Sequence, residues 1–448
     1  MAPSFAEVIG QFKADVGRAL SSDVIEQVCD ELGHDYRKRI LDPVTTVHAF
    51  LTQVLHGNTA CAELPHLTGK RFSPAAYVNA RSRLPLTLFE TLFNRVSNGL
   101  SSEQQPSSLW HGHRTWHVDG SSFSMADRLE LQEAFGQPGN QKKGCGFPVA
   151  HFLALFNADT GFLRRVIPSA LRTHDMANAA DMHPEMREGD ILLADRAFAS
   201  YAHLALISQR KLHAVFRCHQ RQIVDFRPGR KHKTTAKGTK GLPTSRWLKR
   251  LGKHDQLVEY VKPKTKPDWM DQDEFDALPE TLVVRELRFK IKEPSCRTKT
   301  VTIVTTLLDH VRYPARDIAE LYRRRWGIET NFRHLKTTMK MEVLHCHSVE
   351  GVLKELAMFA LVYNLVRVVM LEAARRQKVP VERISFVDAL RWLRTAKPGT
   401  ALPKLVVNPH RPNRLEPRVV KRRPKQYPRM TKPRAKLRKD LPRKRLKA

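Results

Sequence analysis

The sequence predicts an α/β protein: a mixed α/β layer interrupted by a β-rich basic segment, preceded by a helical region and followed by helices and a basic tail. Three observations predict it. Apolar runs of strand length alternate with helical segments between residues 115 and 217. The first hundred residues instead carry apolar positions at helical spacing. Two long helical stretches, about Pro314 to Lys340 and Val352 to Gln377, follow a last strand at Thr300–Leu307.

Phe5, Val8, Ile9 and Phe12, and then Val24, Ile25, Val28 and Leu32, recur at helical spacing. Ser73 before Pro74 has the form of an N-cap and first helical residue, opening a helix through Arg83. Leu88–Val96 is amphipathic, and Ser101–Ser108 is a polar linker. Thr115–Asp119 (TWHVD) reads as a strand. Val149–Asn157 and Phe162–Ser169 read as a hairpin turning at Ala158–Gly161. A helix near Ala177–Met186 follows. Ile191–Asp195 (ILLAD) is a short apolar strand ending in a carboxylate. Tyr201–Gln209 is a helix and His213–Arg217 another strand. Strands at Leu257–Val261 and Leu282–Phe289 lie among basic loops in the insertion.

A chain of 448 residues can bury a core without disulfide or zinc staples. Its 77 Lys+Arg against 45 Asp+Glu leave a formal charge of +32, which points to a polyanion, most simply nucleic acid. The charge is concentrated. Residues 403–448 hold 18 Lys+Arg, two acids and eight prolines, and residues 226–253 hold ten Lys+Arg and no acid. The first of these reads as a disordered basic arm suited to phosphate contact, or more plainly as a solubilising extension. The six cysteines are scattered without C-x-x-C spacing, which fits reduced thiols in the cytoplasm. No apolar signal core opens the chain. The apolar stretch Ala357–Met370 is broken by Asn364 and Arg367 and is shorter than the roughly 20 residues of a membrane span. No membrane partner is expected. No G-x-x-x-x-G-K-[ST] occurs, so no nucleotide is expected either. His111, His113 and His117, and His345 and His347, lack further ligands at zinc spacing and read as polar loop residues.

Two aspartates end apolar strands, Asp119 before Gly120 and Asp195 before Arg196. Strand-end carboxylates suit hard metal ions, although a lone one is more often a turn former or helix cap. The stretch Ala319–Lys340 adds Tyr322, Arg325, Glu329 and Lys336. At about 100° per residue these fall within roughly 60° of one another on a continuous helix. The plainer reading is a solvated, salt-bridged face. Against it, Leu321, Trp326, Ile328, Phe332 and Leu335 make the helix apolar around much of its circumference. A carboxylate among cations stays ionised and suits a metal, and the cations suit phosphates.

The run Y-x2-R-x3-E-x6-K, realised as Tyr322, Arg325, Glu329 and Lys336, resembles the signature of DDE transposases of the insertion sequence 4 family. The segments SPAAYVNARSRLP (Ser73–Pro85), DGSSFSM (Asp119–Met125), QKKGCGFPVA (Gln141–Ala150), ADRAFASYAH (Ala194–His203) and KELAMFALVYNLVR (Lys354–Arg367) resemble that family too. The resemblance covers about residues 40–375. It implies a ribonuclease-H-like catalytic domain in which Asp119, Asp195 and Glu329 are the catalytic carboxylates and metal ligands. They would hold two Mg²⁺ ions, for which Mn²⁺ can substitute. Tyr322, Arg325 and Lys336 would hold DNA. The partners implied are double-stranded DNA, as terminal inverted repeats and target, and a second copy of the chain in a synaptic homodimer. The activity implied is cut-and-paste DNA transposition in the bacterial cytoplasm, at the nucleoid. A metal-dependent nuclease without strand transfer, and an inactive DNA-binding relic, are the alternatives. No Trp stands near Val301–Thr302, where the resemblance would place one that stacks on a base. The resulting division is a helical DNA-end-binding domain (1–105), catalytic segments (106–219 and 299–345) flanking the basic β-rich insertion (220–298), a C-terminal helical region (346–402) and the tail (403–448).

Overall fold

The structure, a computed structural model, describes residues 5–101, 109–139, 142, 144–173, 175–233, 241–291, 300–409 and 430–440. The linker expected at 101–108 therefore lies almost wholly outside the described residues.

Alternating and apolar runs form the strands β1 (Thr115–Ser124), β2 (Val149–Asn157), β3 (Leu163–Ala170), β4 (Ile191–Ala194) and β5 (His213–Arg217). The insertion adds β6 (Arg246–Gly252), β7 (Asp255–Val261) and β8 (Thr281–Lys290), and β9 (Thr300–Thr305) follows. All nine belong to one sheet in the order β3-β2-β1-β4-β5-β9-β8-β7-β6. β1, β2 and β3 are antiparallel, whereas β4 pairs in parallel with β1 and β5 with β4. The insertion strands are not a separate unit. β9 pairs antiparallel with β5 and carries β8, β7 and β6 outward as an extension of the same sheet. β4 is buried along its whole length, as a central strand covered on both faces requires.

The helical N-terminal region is set by its caps. Ser21 accepts from Val24 N to open Ser22–Glu31, and Ser73 accepts from Ala76 N at 3.1 Å to open Pro74–Arg83. Pro43–Leu55, capped by Asp42, is buried on nearly every side.

Two expectations are corrected here. The stretch from Pro314 to Lys340 is not one helix. It divides into Ala315–Arg324, Gly327–Arg333 and a π-helical turn at His334–Thr338. At the break, Arg325 N bonds Tyr322 O, Trp326 N bonds Arg323 O and Ile328 N bonds Arg325 O, which tightens the turn beside Gly327. The tail is not wholly irregular either. Leu402 and Leu405 are buried, Ser385 N bonds Val406 O, and Arg434–Asp440 is helical. That last stretch lies between Pro433 and Pro442 and consists mostly of good helix formers. Residues 410–429 and 441–448 lie outside the described residues.

The helix Val349–Gln377 runs through the core. It is long and apolar enough to cross a membrane, yet 83% of its most apolar window is buried inside the protein. Its polar interruptions are connectors. Asn364 bonds both Leu163 N and Leu163 O at 2.8 Å, and Tyr363 OH donates to Gly161 O.

Candidate active site

The parallel register Thr115↔Ile191, Trp116↔Leu192, His117↔Leu193, carried two residues further, sets Asp119 beside Asp195. β1 runs on to Ser124, so Asp119 is inside a strand and not at its end. Asp195 ends β4 and caps the short 3₁₀ turn Arg196–Phe198, accepting from Arg196 N at 2.6 Å. Asp119 accepts from Gly120 N at 2.9 Å.

Tyr322, Arg325 and Lys336 converge on this pair. Arg325 Nη1 lies 3.7 Å from Asp119 Oδ2, and the guanidinium sits 5.8 Å from the Tyr322 ring centre. Lys336 Nζ donates to Ser121 Oγ at 3.2 Å, brought there by the π-helical turn. Arg325 Nε is buried without a hydrogen-bond partner among the described residues, so the guanidinium keeps a donor unused. Glu329 stands one turn beyond Arg325, and its residue is exposed.

Burial pushes the Asp119 carboxyl up to about 6. The Gly120 N–H and Arg325 oppose the shift, and Asp195 and Asp175 add to it. Burial likewise pushes the Tyr322 phenol up to about 12. The phenol is therefore a neutral donor at physiological pH.

The donor chemistry fits a divalent cation at the two aspartates. Two neighbouring carboxylates, one of them desolvated, are a charge arrangement that a hard cation relieves. Among the described residues no three His, Cys, Asp or Glu side chains converge closely enough to hold a metal ion. Glu329 is therefore not part of a preassembled cage. His111 and His113 have structural partners, Asp317 at 3.1 Å and the Tyr313 hydroxyl at 2.8 Å respectively.

Sequence reasoning missed the layer behind Gly120. Asp175 Oδ1 lies 3.2 Å from His151 Nδ1, and a Cβ at position 120 would meet that Asp175 oxygen at 2.3 Å. The only sequence signal was the glycine after Asp119. Sequence also did not place Trp269, which lines a groove of ≈ 1010 Å³ with Arg172, Arg196 and Lys266 next to Asp195. The basic run 226–253 is divided in its use. Arg230 is buried and donates to Asp225 O, Ser245 O and Ser245 Oγ, whereas Lys249, Arg250 and Lys253 are exposed. Residues 234–240 of that run lie outside the described residues.

Residues 110–365 match the family described as Transposase DDE domain. The chain is 24% identical over 376 residues to the transposase InsG for insertion sequence element IS4 of Escherichia coli (strain K12), covering 80% of this chain and 78% of that one. A solved structure, the piggyBac transposase synaptic complex with hairpin DNA, is 11% identical with a TM-score of 0.46. That match covers 86% of this chain and 78% of the piggyBac chain.

Proposed function

The chain belongs to the Transposase DDE domain family and is a DDE transposase, and we propose that it cuts the ends of its own insertion sequence and joins the freed 3′-hydroxyl ends to target DNA. The observation that carries this reading is the convergence of Arg325 on Asp119 and of Lys336 on Ser121, with Asp195 alongside. The order β3-β2-β1-β4-β5 accords with a ribonuclease-H-like core.

The protein's tasks in such a reaction are positional and electrostatic. Arg325 forks onto two phosphate oxygens through donors that Asp119 leaves partly unused. Lys336 adds a point charge, and the neutral Tyr322 hydroxyl donates a hydrogen bond to the same strand. Asp119 and Asp195, joined by Glu329, would hold two Mg²⁺ ions, which supply Lewis-acid stabilisation of the attacking and leaving oxygens of an in-line displacement. Glu329, exposed one turn beyond Arg325, would be the third ligand. The helical region 1–105 reads the terminal repeats, and two copies of the chain pair the two ends.

The test uses the purified full chain and a DNA fragment carrying the ends that flank its gene, with Mg²⁺ or with EDTA. Nicked 3′ ends and joined products that require Mg²⁺ are expected. Cleavage without joining would make the protein a nuclease, and binding alone would make it a DNA-binding relic.

A further inference from the structure

A cavity of ≈ 590 Å³ opens beside a flank of the signature helices other than the one bearing Tyr322, Arg325 and Lys336. Its walls come from five places: His117 of β1, the hairpin turn at Ala158–Gly161, Asn331 and His334 of the signature segment, Arg367 of the core helix, and Glu382 of the turn Val381–Arg383.

Its walls carry unpaired polar atoms. His117 Nε2, His334 Nδ1 and Arg367 Nε are buried without hydrogen-bond partners among the described residues. The Arg atom can only donate. His117 and Arg367 are 2% and 4% exposed. Arg367 makes no ion pair among the described residues. It donates to Thr160 O and, at 3.6 Å, to Met370 Sδ. A buried guanidinium without an anionic partner is costly. Its seat is nevertheless specific. Gly161 has φ +70°, and a Cβ there would meet Arg367 Nη2 at 2.5 Å. Glu382 favours the Arg367 charge from a distance, but no carboxylate pairs with it among the described residues. Asp159 is engaged by Arg324 at 3.5 Å and by Thr115 at 3.2 Å, and Glu320 and Glu382 are exposed.

We propose that this cavity binds a small free oxyanion of the phosphate class, held by the unpaired Arg367 guanidinium with the His334 and His117 ring nitrogens beside it. The cavity lies on a flank of the signature segment away from Tyr322, Arg325 and Lys336, which sets its occupant apart from the strand those residues would hold. The bound anion ties β1, the hairpin turn, the signature helices and the core helix together, and so steadies the segment that carries Glu329.

Inorganic phosphate is the probe. It is titrated into the full chain by calorimetry and in thermal melts, with chloride holding ionic strength constant. Saturable binding of one phosphate per chain and a rise in Tm of about 2–4 °C are expected. Arg367→Met should lose both. So should His334→Phe, which keeps the ring stacked on Phe386 at 4.2 Å and therefore separates a lost site from a lost fold. An equal rise in all three proteins would mean screening of surface charge and would overturn the proposal, as would the absence of saturable binding. The phosphate titration is repeated on protein already bound to a short DNA duplex. Unchanged binding supports a free anion, and lost binding would assign the cavity to the DNA backbone and overturn the proposal.

Discussion

Arg325 Nη1 and Asp119 Oδ2 stand 3.7 Å apart, with the Arg325 side chain only 11% exposed. The pair joins the break in the signature segment to β1 and fixes the guanidinium with an unused Nε donor. An arginine so held is already oriented for a phosphate, and its loss of freedom precedes DNA binding.

Arg325→Lys keeps the charge and loses the planar fork. The single-turnover nicking rate should fall about 100-fold with end binding reduced far less. A rate near that of wild type would make Arg325 a structural ion-pair partner only.

Asp119→Asn should abolish nicking and joining. It should also stabilise the metal-free protein, because burial holds this carboxyl up at about 6 and its charge at neutral pH is a cost to the fold. A native state that binds the proton more tightly than the unfolded chain loses stability as pH rises from about 4 to about 6. Urea melts in EDTA at pH 7 should show a gain of about 1–2 kcal/mol for the variant. A loss would mean that Arg325 outweighs burial.

His183 and His203 share a bond between their Nε2 atoms at 2.9 Å. Burial pulls them down to about 2 and about 4 respectively, so both are neutral in the fold. The unfolded chain takes up protons below about 6.5 and the fold does not. Stability is therefore full above that pH and falls as pH drops. Urea melts should show a loss of about 2–4 kcal/mol between pH 7 and 5. His203→Phe, which preserves the stack on Phe216, should remove about half of it. An unchanged slope would show that other groups set the acid sensitivity.

The tail should be cut after residue 409, because Leu402 and Leu405 belong to the core. Deleting 410–448 should flatten the salt dependence of nonspecific DNA binding while nicking persists. An unchanged slope would show that the tail does not neutralise phosphates. Lost nicking would give it a part in the chemistry, consistent with Arg434 pairing with Asp127 at 3.0 Å.

Much of this was legible in sequence because the signals were local. Ser73 before Pro74 announced a helix start, and ILLAD announced a short apolar strand ending in a carboxylate. The spacing of Tyr322, Arg325 and Lys336 brought the right residue types to one place. The break at Arg325–Trp326 and the π turn were not legible, because three-residue bonding at Gly327 alters a wheel drawn at constant pitch. Asn364 and Arg367 looked like interruptions of an apolar run, because their partners at Leu163 and Thr160 are distant in sequence.

The most direct test of the central claim compares wild type with Glu329→Gln on DNA carrying the element ends, in Mg²⁺, reading end binding, 3′ nicking and joined product together. Binding close to wild type, with nicking and joining both abolished, is expected of the variant. Cleavage that survives the substitution would contradict it and remove Glu329 from the catalytic site.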